Sequence, residues 1–155
     1  MKTLIIYKSF HHQNTEKIAK EMAQEIDAEI LSVNDEVREL DVSEYDLIGI
    51  GSGIYFGKFH DSILDLIPRI KGLDRKNVFI FSTSGSKKTT GNDFEKKIIE
   101  VLKKRRTNLL GSFDARGSST FAFLKLFGGM NKGKPDEEDI REARVFVKNI
   151  INNLE

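Results

Sequence analysis

Short, nearly continuous apolar runs alternate along this chain with stretches of helical periodicity, and that alternation constrains the fold more than any other feature. Residues 4–7, 46–51, 77–82 and 109–113 read as strands. The second and third carry so little polar alternation that both of their faces must be covered. Residues 29–33 read as a weaker fifth strand nearer an edge. Between them, Ile18, Met22, Ala23 and Ile26 share one face of a helix starting at about Asn14, and Ile63, Leu64, Ile67 and Ile70 share another. Phe94, Ile98, Ile99, Val101 and Leu102 mark a third helix. Ile140, Ala143, Val147, Ile150, Ile151 and Leu154 mark the last, which starts near Pro135 and Asp136 with acids in its first turn. Strands alternating with helices imply right-handed crossovers and a parallel sheet wrapped on both sides, an α/β architecture.

The 155 residues suit a single domain over 1–155 with a sizeable core. The sequence has no cysteine, which excludes disulfides, thiolate metal ligands, cysteine-held iron–sulfur clusters and dithiol redox chemistry. No apolar run reaches membrane-spanning length, and strand-like sequence follows directly on Lys2, so the expectation is a cytoplasmic protein whose N-terminus is built into the fold. With 25 basic and 24 acidic residues, the net charge of +1 exerts no strong pull toward nucleic acid or membrane. The charges are unevenly spread. The region before Gly49 is acidic, whereas Lys87, Lys88, Lys96, Lys97, Lys103, Lys104, Arg105 and Arg106 form a later basic tract. A solvated helix face accounts for such a tract; a docking patch for an acidic partner is the sharper alternative. Residues 35–43 fit an acidic loop or short helix, and residues 114–134 form a long connection rich in Gly, Ser and aromatics, of the kind that often carries function.

In an open α/β sheet, ligands bind beyond the carboxyl ends of the strands. Strand one runs into Ser9, Phe10, His11, His12, Gln13, Asn14 and Thr15, ahead of a helix. A helix N-terminus presents unpaired N–H groups and partial positive charge, so this loop is a candidate phosphate site; simple capping by Ser9, Asn14 or Thr15 is the plainer reading. The loop contains neither the dinucleotide nor the nucleoside-triphosphate glycine motif. His11 and His12 are adjacent, so their side chains diverge, and no carboxylate cluster accompanies them; no metal ligand is assigned.

The next central strand ends in Gly51, Ser52, Gly53, Ile54, Tyr55, Phe56, Gly57, Lys58, Phe59 and His60. Glycines there allow close backbone approach to a flat ligand, and Tyr55, Phe56 and Phe59 offer aromatic faces, although Phe59 also suits the core. His60 and Asp61 begin the following helix, with Asp61 the better cap. The third loop, Ser82, Thr83, Ser84, Gly85 and Ser86, supplies hydroxyls and backbone N–H groups for the polar edge of a heterocycle. It lacks the serine-hydrolase elbow.

Taken in order, these segments resemble the flavodoxin family. The carrying residues are Ile5, Ile6, Tyr7, Lys8 and Ser9, then Asn14 to Ala19, then Tyr45 to Ser52, and finally Phe81 to Gly85. The loop from Gly53 to His60 is also similar to that of the flavodoxin-like, menaquinone-dependent protoporphyrinogen oxidases. The resemblance implies a three-layer, doubly wound fold with a five-stranded parallel sheet in the order 2-1-3-4-5, and one non-covalent FMN. It implies that Ser9, His11, His12, Gln13, Asn14 and Thr15 hold the phosphate. Ser52, Gly53, Ile54, Tyr55, Phe56 and Gly57, with Ser82, Thr83, Ser84, Gly85 and Ser86, would bracket the isoalloxazine. Electron transfer by a flavin requires no side-chain acid or base, so no catalytic residue is assigned.

Three features are unusual for that family: Phe10 to Gln13 replace small residues and glycine, the third loop has no aromatic, and the chain is not strongly acidic. Phe121, Phe123 and Phe127 in the long connection are candidates to cover the flavin or form a partner surface. The implied function is an electron carrier between redox protein partners. An FMN oxidoreductase acting on a quinone, porphyrinogen or other small acceptor is the alternative, and a non-redox interaction domain without flavin is a third.

Overall fold

A computed structural model describes residues 1–9, 14–34, 36–84, 93–115 and 135–155. The element order is β1 (Thr3–Lys8), α1 (Asn14–Ile26), β2 (Glu29–Ser32), β3 (Leu40–Asp41), β4 (Leu47–Tyr55), β5 (Lys58–Phe59), α2 (Asp61–Leu66), a single 3₁₀ turn (Ile67–Arg69), β6 (Ile70–Lys71), β7 (Asn77–Thr83), α3 (Lys96–Lys104), β8 (Asn108–Asp114) and α4 (Glu137–Asn152). The main sheet runs β2-β1-β4-β7-β8 with every neighbouring pair parallel. Counting only those five strands, the order is 2-1-3-4-5, as the sequence resemblance implies.

The two faces follow from strand alternation. Ile5, Tyr7, Leu47, Phe79, Phe81 and Phe113 project to one face, where they pack with Ile18 and Met22 of α1 and Ala143 and Val147 of α4. Leu4, Ile6, Ile48, Ile50, Val78 and Ile80 project to the other, against Ile63 and Leu66 of α2 and Ile98 and Leu102 of α3. On the first face, β4 gives up side-chain volume to β7. A Cβ on Gly49 would lie 2.4 Å from the Phe79 ring, and one on Gly51 would lie 2.1 Å from that of Phe81. The paired helices on that face are joined outside the core, where Arg144 bonds Glu21 and Lys148 Nζ lies 2.5 Å from Glu25.

Several boundaries differ from the sequence expectation. The second helix ends at Leu66, because Pro68 has no N–H to continue the ladder; a 3₁₀ turn follows. Ile70, grouped by periodicity with the helix, instead pairs with Leu40 in the small β3–β6 sheet and is buried from there. That pairing gives the acidic segment a short strand. Phe94 is buried just ahead of α3 and outside it. The central strand continues through Ser52, Gly53, Ile54 and Tyr55, which were expected in a loop, because β5 folds back antiparallel and supplies partners for Ile54 and Tyr55.

The basic tract is divided in role. Arg105 is turned inward, with Nη1 donating to the carbonyls of Ile67 (2.7 Å) and Pro68 (3.0 Å) and Nη2 to that of Ile70 (2.7 Å). Its Nε and Nη2 also reach the Asp74 carboxylate at 3.1 and 2.9 Å. One guanidinium thus adds charge-assisted donors to three carbonyls around the break after α2 and ties them to Asp74. No described helix is long and apolar enough to cross a membrane.

Candidate functional site

Four parallel strands end side by side, and register determines which residues meet at that edge. Lys8 is paired with Ser52, Ser52 with Ser82, and Ser82 with Asp114, while Gly53 is paired with Thr83. Lys8, Ser52, Ser82 and Asp114 continue the alternation of Ile6, Ile50, Ile80 and Ser112 and so lie on the α2–α3 face, all four buried. A buried polar row therefore closes the core at the carboxyl edge. Neither Lys8 nor Asp114 is assigned to the cofactor from sequence, although Asp114 ends the last strand. The signal available was a charged residue at the end of an otherwise apolar strand.

The first loop is anchored on both sides of its central residues. Ser9 Oγ accepts a hydrogen bond from Glu16 N at 3.3 Å, in the first turn of α1. Asn14 opens the helix, and Thr15, only 2 % exposed, places Oγ1 2.7 Å from Oγ1 of Thr83 at the end of β7. The first and third loops are thereby joined by a direct side-chain contact. A hydroxyl that uses one hydrogen-bonding direction on its neighbour retains another for a ligand. His11, His12 and Gln13, like Gly85 and Ser86 in the third loop, lie outside the described residues, as do Phe121, Phe123 and Phe127.

The second loop is a tight hairpin. Tyr55 pairs with Lys58 across a two-residue turn in which Phe56 and Gly57 have φ of 51° and 76°. Two successive positive φ values match the twist of the flanking strands, and glycine takes the second without penalty. Phe56 at the tip is fully exposed, whereas Phe59 is fully buried in the core. Tyr55 folds back along its own strand; a Cβ on Gly53 would lie 2.8 Å from its hydroxyl oxygen, so glycine makes room for that ring. Tyr55 also meets the His60 ring edge-on, with centroids 5.2 Å apart and planes at 89°.

His60, not Asp61, caps α2. Its Nδ1 accepts from Ser62 N at 3.0 Å and lies 2.8 Å from Ser62 Oγ. Asp61 is instead paired with Lys58 Nζ at 2.6 Å, and that bond holds its carboxyl below the usual range. The backbone N–H of His60 donates to Ser52 Oγ at 2.9 Å, and Ser52 Oγ donates onward to the carbonyl of Gly53 at 2.6 Å. The Ser52 hydroxyl is therefore an internal brace that fixes the hairpin to the strand. Ser82, 1 % exposed, is likewise inward. Gly53, Ile54, Tyr55, Phe56, Gly57, Thr83 and Ser84 form the outer part of the edge.

Among the described residues, no group of three or more His, Asp or Glu is arranged to hold a metal ion. The edge offers hydroxyls and helix-terminal amides beside Thr15, a small-residue rim at Gly53 and aromatic rings at Tyr55 and Phe56. Such a donor set fits an anion at one end and a planar heterocycle at the other.

The family described as flavodoxin domain matches residues 4–129 of the chain. An uncharacterised protein of Methanocaldococcus jannaschii is 46% identical over 153 residues, covering 99% of this chain and 100% of its own length. The flavodoxin-like domain-containing protein BilS of Clostridioides difficile is 30% identical over 147 residues, covering 92% and 81% respectively. Among solved structures, a flavoprotein in complex with FMN from Lactobacillus acidophilus superimposes with a TM-score of 0.57 at 23% identity, covering 73% of this chain and 92% of that one.

Proposed function

This chain belongs to the flavodoxin family, and from that premise we propose that it binds one FMN and carries electrons between redox protein partners in the cytoplasm. The observation that carries the reading is the convergence of three strand-end loops, with Thr15 and Thr83 in direct contact and Gly53 in register with Thr83. Ser9, Asn14 and Thr15, with the first amides of α1 and with His11, His12 and Gln13, are the proposed phosphate ligands. Gly53, Ile54, Tyr55, Phe56 and Gly57 on one side, and Thr83, Ser84, Gly85 and Ser86 on the other, are the proposed walls around the ring. Ser52 and Ser82 serve behind them as supports, because both hydroxyls are buried.

Bound FMN supplies the electron-carrying chemistry. The chain's own work is to hold the phosphate on oriented donors, to stack aromatic faces against the ring, and to limit water at its inner edge. The test is direct: the purified protein, with FMN added, is titrated and its visible spectrum recorded. Saturable binding with reversible reduction supports the reading. No flavin absorption and no binding would overturn it in favour of a non-redox interaction domain.

A second reading is favoured by the hairpin. Phe56 exposes its whole ring at the tip, where it can meet a planar acceptor such as a quinone. Steady turnover of a small donor–acceptor pair without any protein partner separates this oxidoreductase from a carrier.

A further inference from the structure

A pocket opens between the chain leaving β2 and the outer face of α2. It is an open pocket of about 300 Å³, lined among the described residues by Asn34, Val37, Arg38, Ser62, Asp65 and Arg69. None of these residues belongs to the proposed FMN site. Both arginines have donors to spare. Among the described residues, Arg38 has no ion-pair or hydrogen-bond partner, and Arg69 has one bond, Nε to the backbone carbonyl of Asp65 at 3.1 Å.

Two guanidinium groups on one small cavity give it a positive wall that favours an anion. Their placement is not left to chance. Asn34 Oδ1 accepts from Glu36 N and Val37 N at 3.0 and 3.2 Å, a turn that sets where Arg38 leaves the chain. The Asp65 carbonyl orients the Arg69 fork one helical turn away. Among the described residues that line the cavity, Arg38 and Arg69 carry positive charge and Asp65 negative charge. Guanidinium forks match the planar or tetrahedral oxygens of carboxylate and phosphate.

We propose that this cavity binds a small molecule through a compact oxyanion, a phosphate monoester or a carboxylate, gripped between Arg38 and Arg69. A volume of about 300 Å³ suits a metabolite-sized ligand. Ser62 forms part of the wall while bonding His60, whose ring touches Tyr55, so the bound anion lies next to the hairpin of the proposed flavin site. The inference does not depend on flavin binding.

The experiment is a backbone-amide NMR titration of the full chain, FMN-loaded where FMN binds, at constant ionic strength. The probes are inorganic phosphate, glycerol 3-phosphate and succinate, with sodium chloride as control. Saturable shifts at Val37, Arg38 and Ser62 are expected for at least one oxyanion and not for chloride. Arg38→Gln and Arg69→Gln should each raise the Kd about tenfold, and Asp65→Asn should lower it severalfold, as expected for charge-assisted bonds. Tighter binding of the phosphate probes identifies a phosphoryl ligand, and tighter binding of succinate a carboxylate. Unsaturating shifts equal to those of chloride would overturn the inference, as would wild-type affinity in both arginine variants. Saturable shifts confined to Asn14 and Thr15 would also overturn it while leaving the FMN reading intact, and failure to bind FMN leaves this titration unaffected.

Discussion

Thr15 Oγ1 and Thr83 Oγ1 lie 2.7 Å apart, tying the first turn of α1 to the last residue of β7. The two residues are 68 positions apart in sequence and meet because only β4 lies between β7 and β1, the strand that leads into α1. The contact joins the proposed phosphate end of the site to one wall of its ring end.

Thr15→Ala should therefore weaken FMN more than riboflavin, which has no phosphate. Loss of one hydrogen bond to a charged group costs about 1.5–3 kcal/mol, or roughly ten- to a hundredfold in Kd. Thr83→Val removes the partner but keeps Thr15 and should have a smaller effect. Fluorescence titration with both ligands checks this, and equal losses for FMN and riboflavin would contradict phosphate contact.

Gly51→Ala should destabilise the fold by about 1–3 kcal/mol, because the new methyl overlaps the Phe81 ring. Phe81→Leu should be destabilising alone yet should relieve much of the Gly51→Ala penalty. Urea unfolding of both single variants and the double variant measures the coupling. Strictly additive losses would contradict direct packing of ring against backbone.

Ser52→Ala removes the acceptor for the partly buried N–H of His60 and should cost about 1–2 kcal/mol. His60→Ala should cost about 1 kcal/mol through the lost cap of α2, and His60→Asn, which can cap equally well, should recover most of that. Thermal unfolding of the three variants separates the brace from the cap.

Arg105→Ala should cost about 3 kcal/mol, since it leaves the carbonyls of Ile67, Pro68 and Ile70 without that donor. Arg105→Lys should restore little, because an ammonium cannot span three carbonyls and a carboxylate at once. Rescue by lysine to wild-type stability would reduce the interaction to simple charge.

Acid should weaken the fold in a defined direction. The Arg105 guanidinium holds the Asp74 carboxyl below its usual range, and the Tyr45 hydroxyl, followed by Lys2, does the same for Glu29. A folded pKa below the unfolded one contributes stability above the unfolded value, about 4, and that contribution is lost as pH falls through the folded value. Both carboxyls are solvent-exposed, so each effect should be modest and reduced by salt. Melting curves from pH 7 downward should show Asp74→Asn and Tyr45→Phe falling less steeply than the parent below about pH 4. Parallel slopes would contradict the assigned partners.

Helix placement was largely readable from periodicity. Ile18, Met22 and Ala23, and likewise Ala143, Val147 and Ile150, are buried on the faces their spacing marks. Periodicity misled at Ile70, since burial in a strand and burial on a helix leave the same apolar trace, and only Pro68 hinted at the break. The hairpin at Phe56 and Gly57 was hidden by its residues: a phenylalanine at positive φ is not a turn signal, whereas glycine is. The basic tract looked uniform in sequence because inward and outward arginines are written alike; Arg105 differs from its neighbours only through the carbonyls it meets.

By itself, the sequence determined the alternation of strands and helices, the sheet's two apolar faces and the three polar segments at strand ends. Those are local properties, set by side-chain period and by the chemistry of helix starts. Tertiary structure alone decided the rest: that Ser52 points inward to brace His60, that Thr15 meets Thr83, and that Arg38 and Arg69 share a cavity. Each of these depends on register between strands or on where a crossover returns; one residue's shift in register would turn Ser52 and Thr83 to the opposite faces of the sheet.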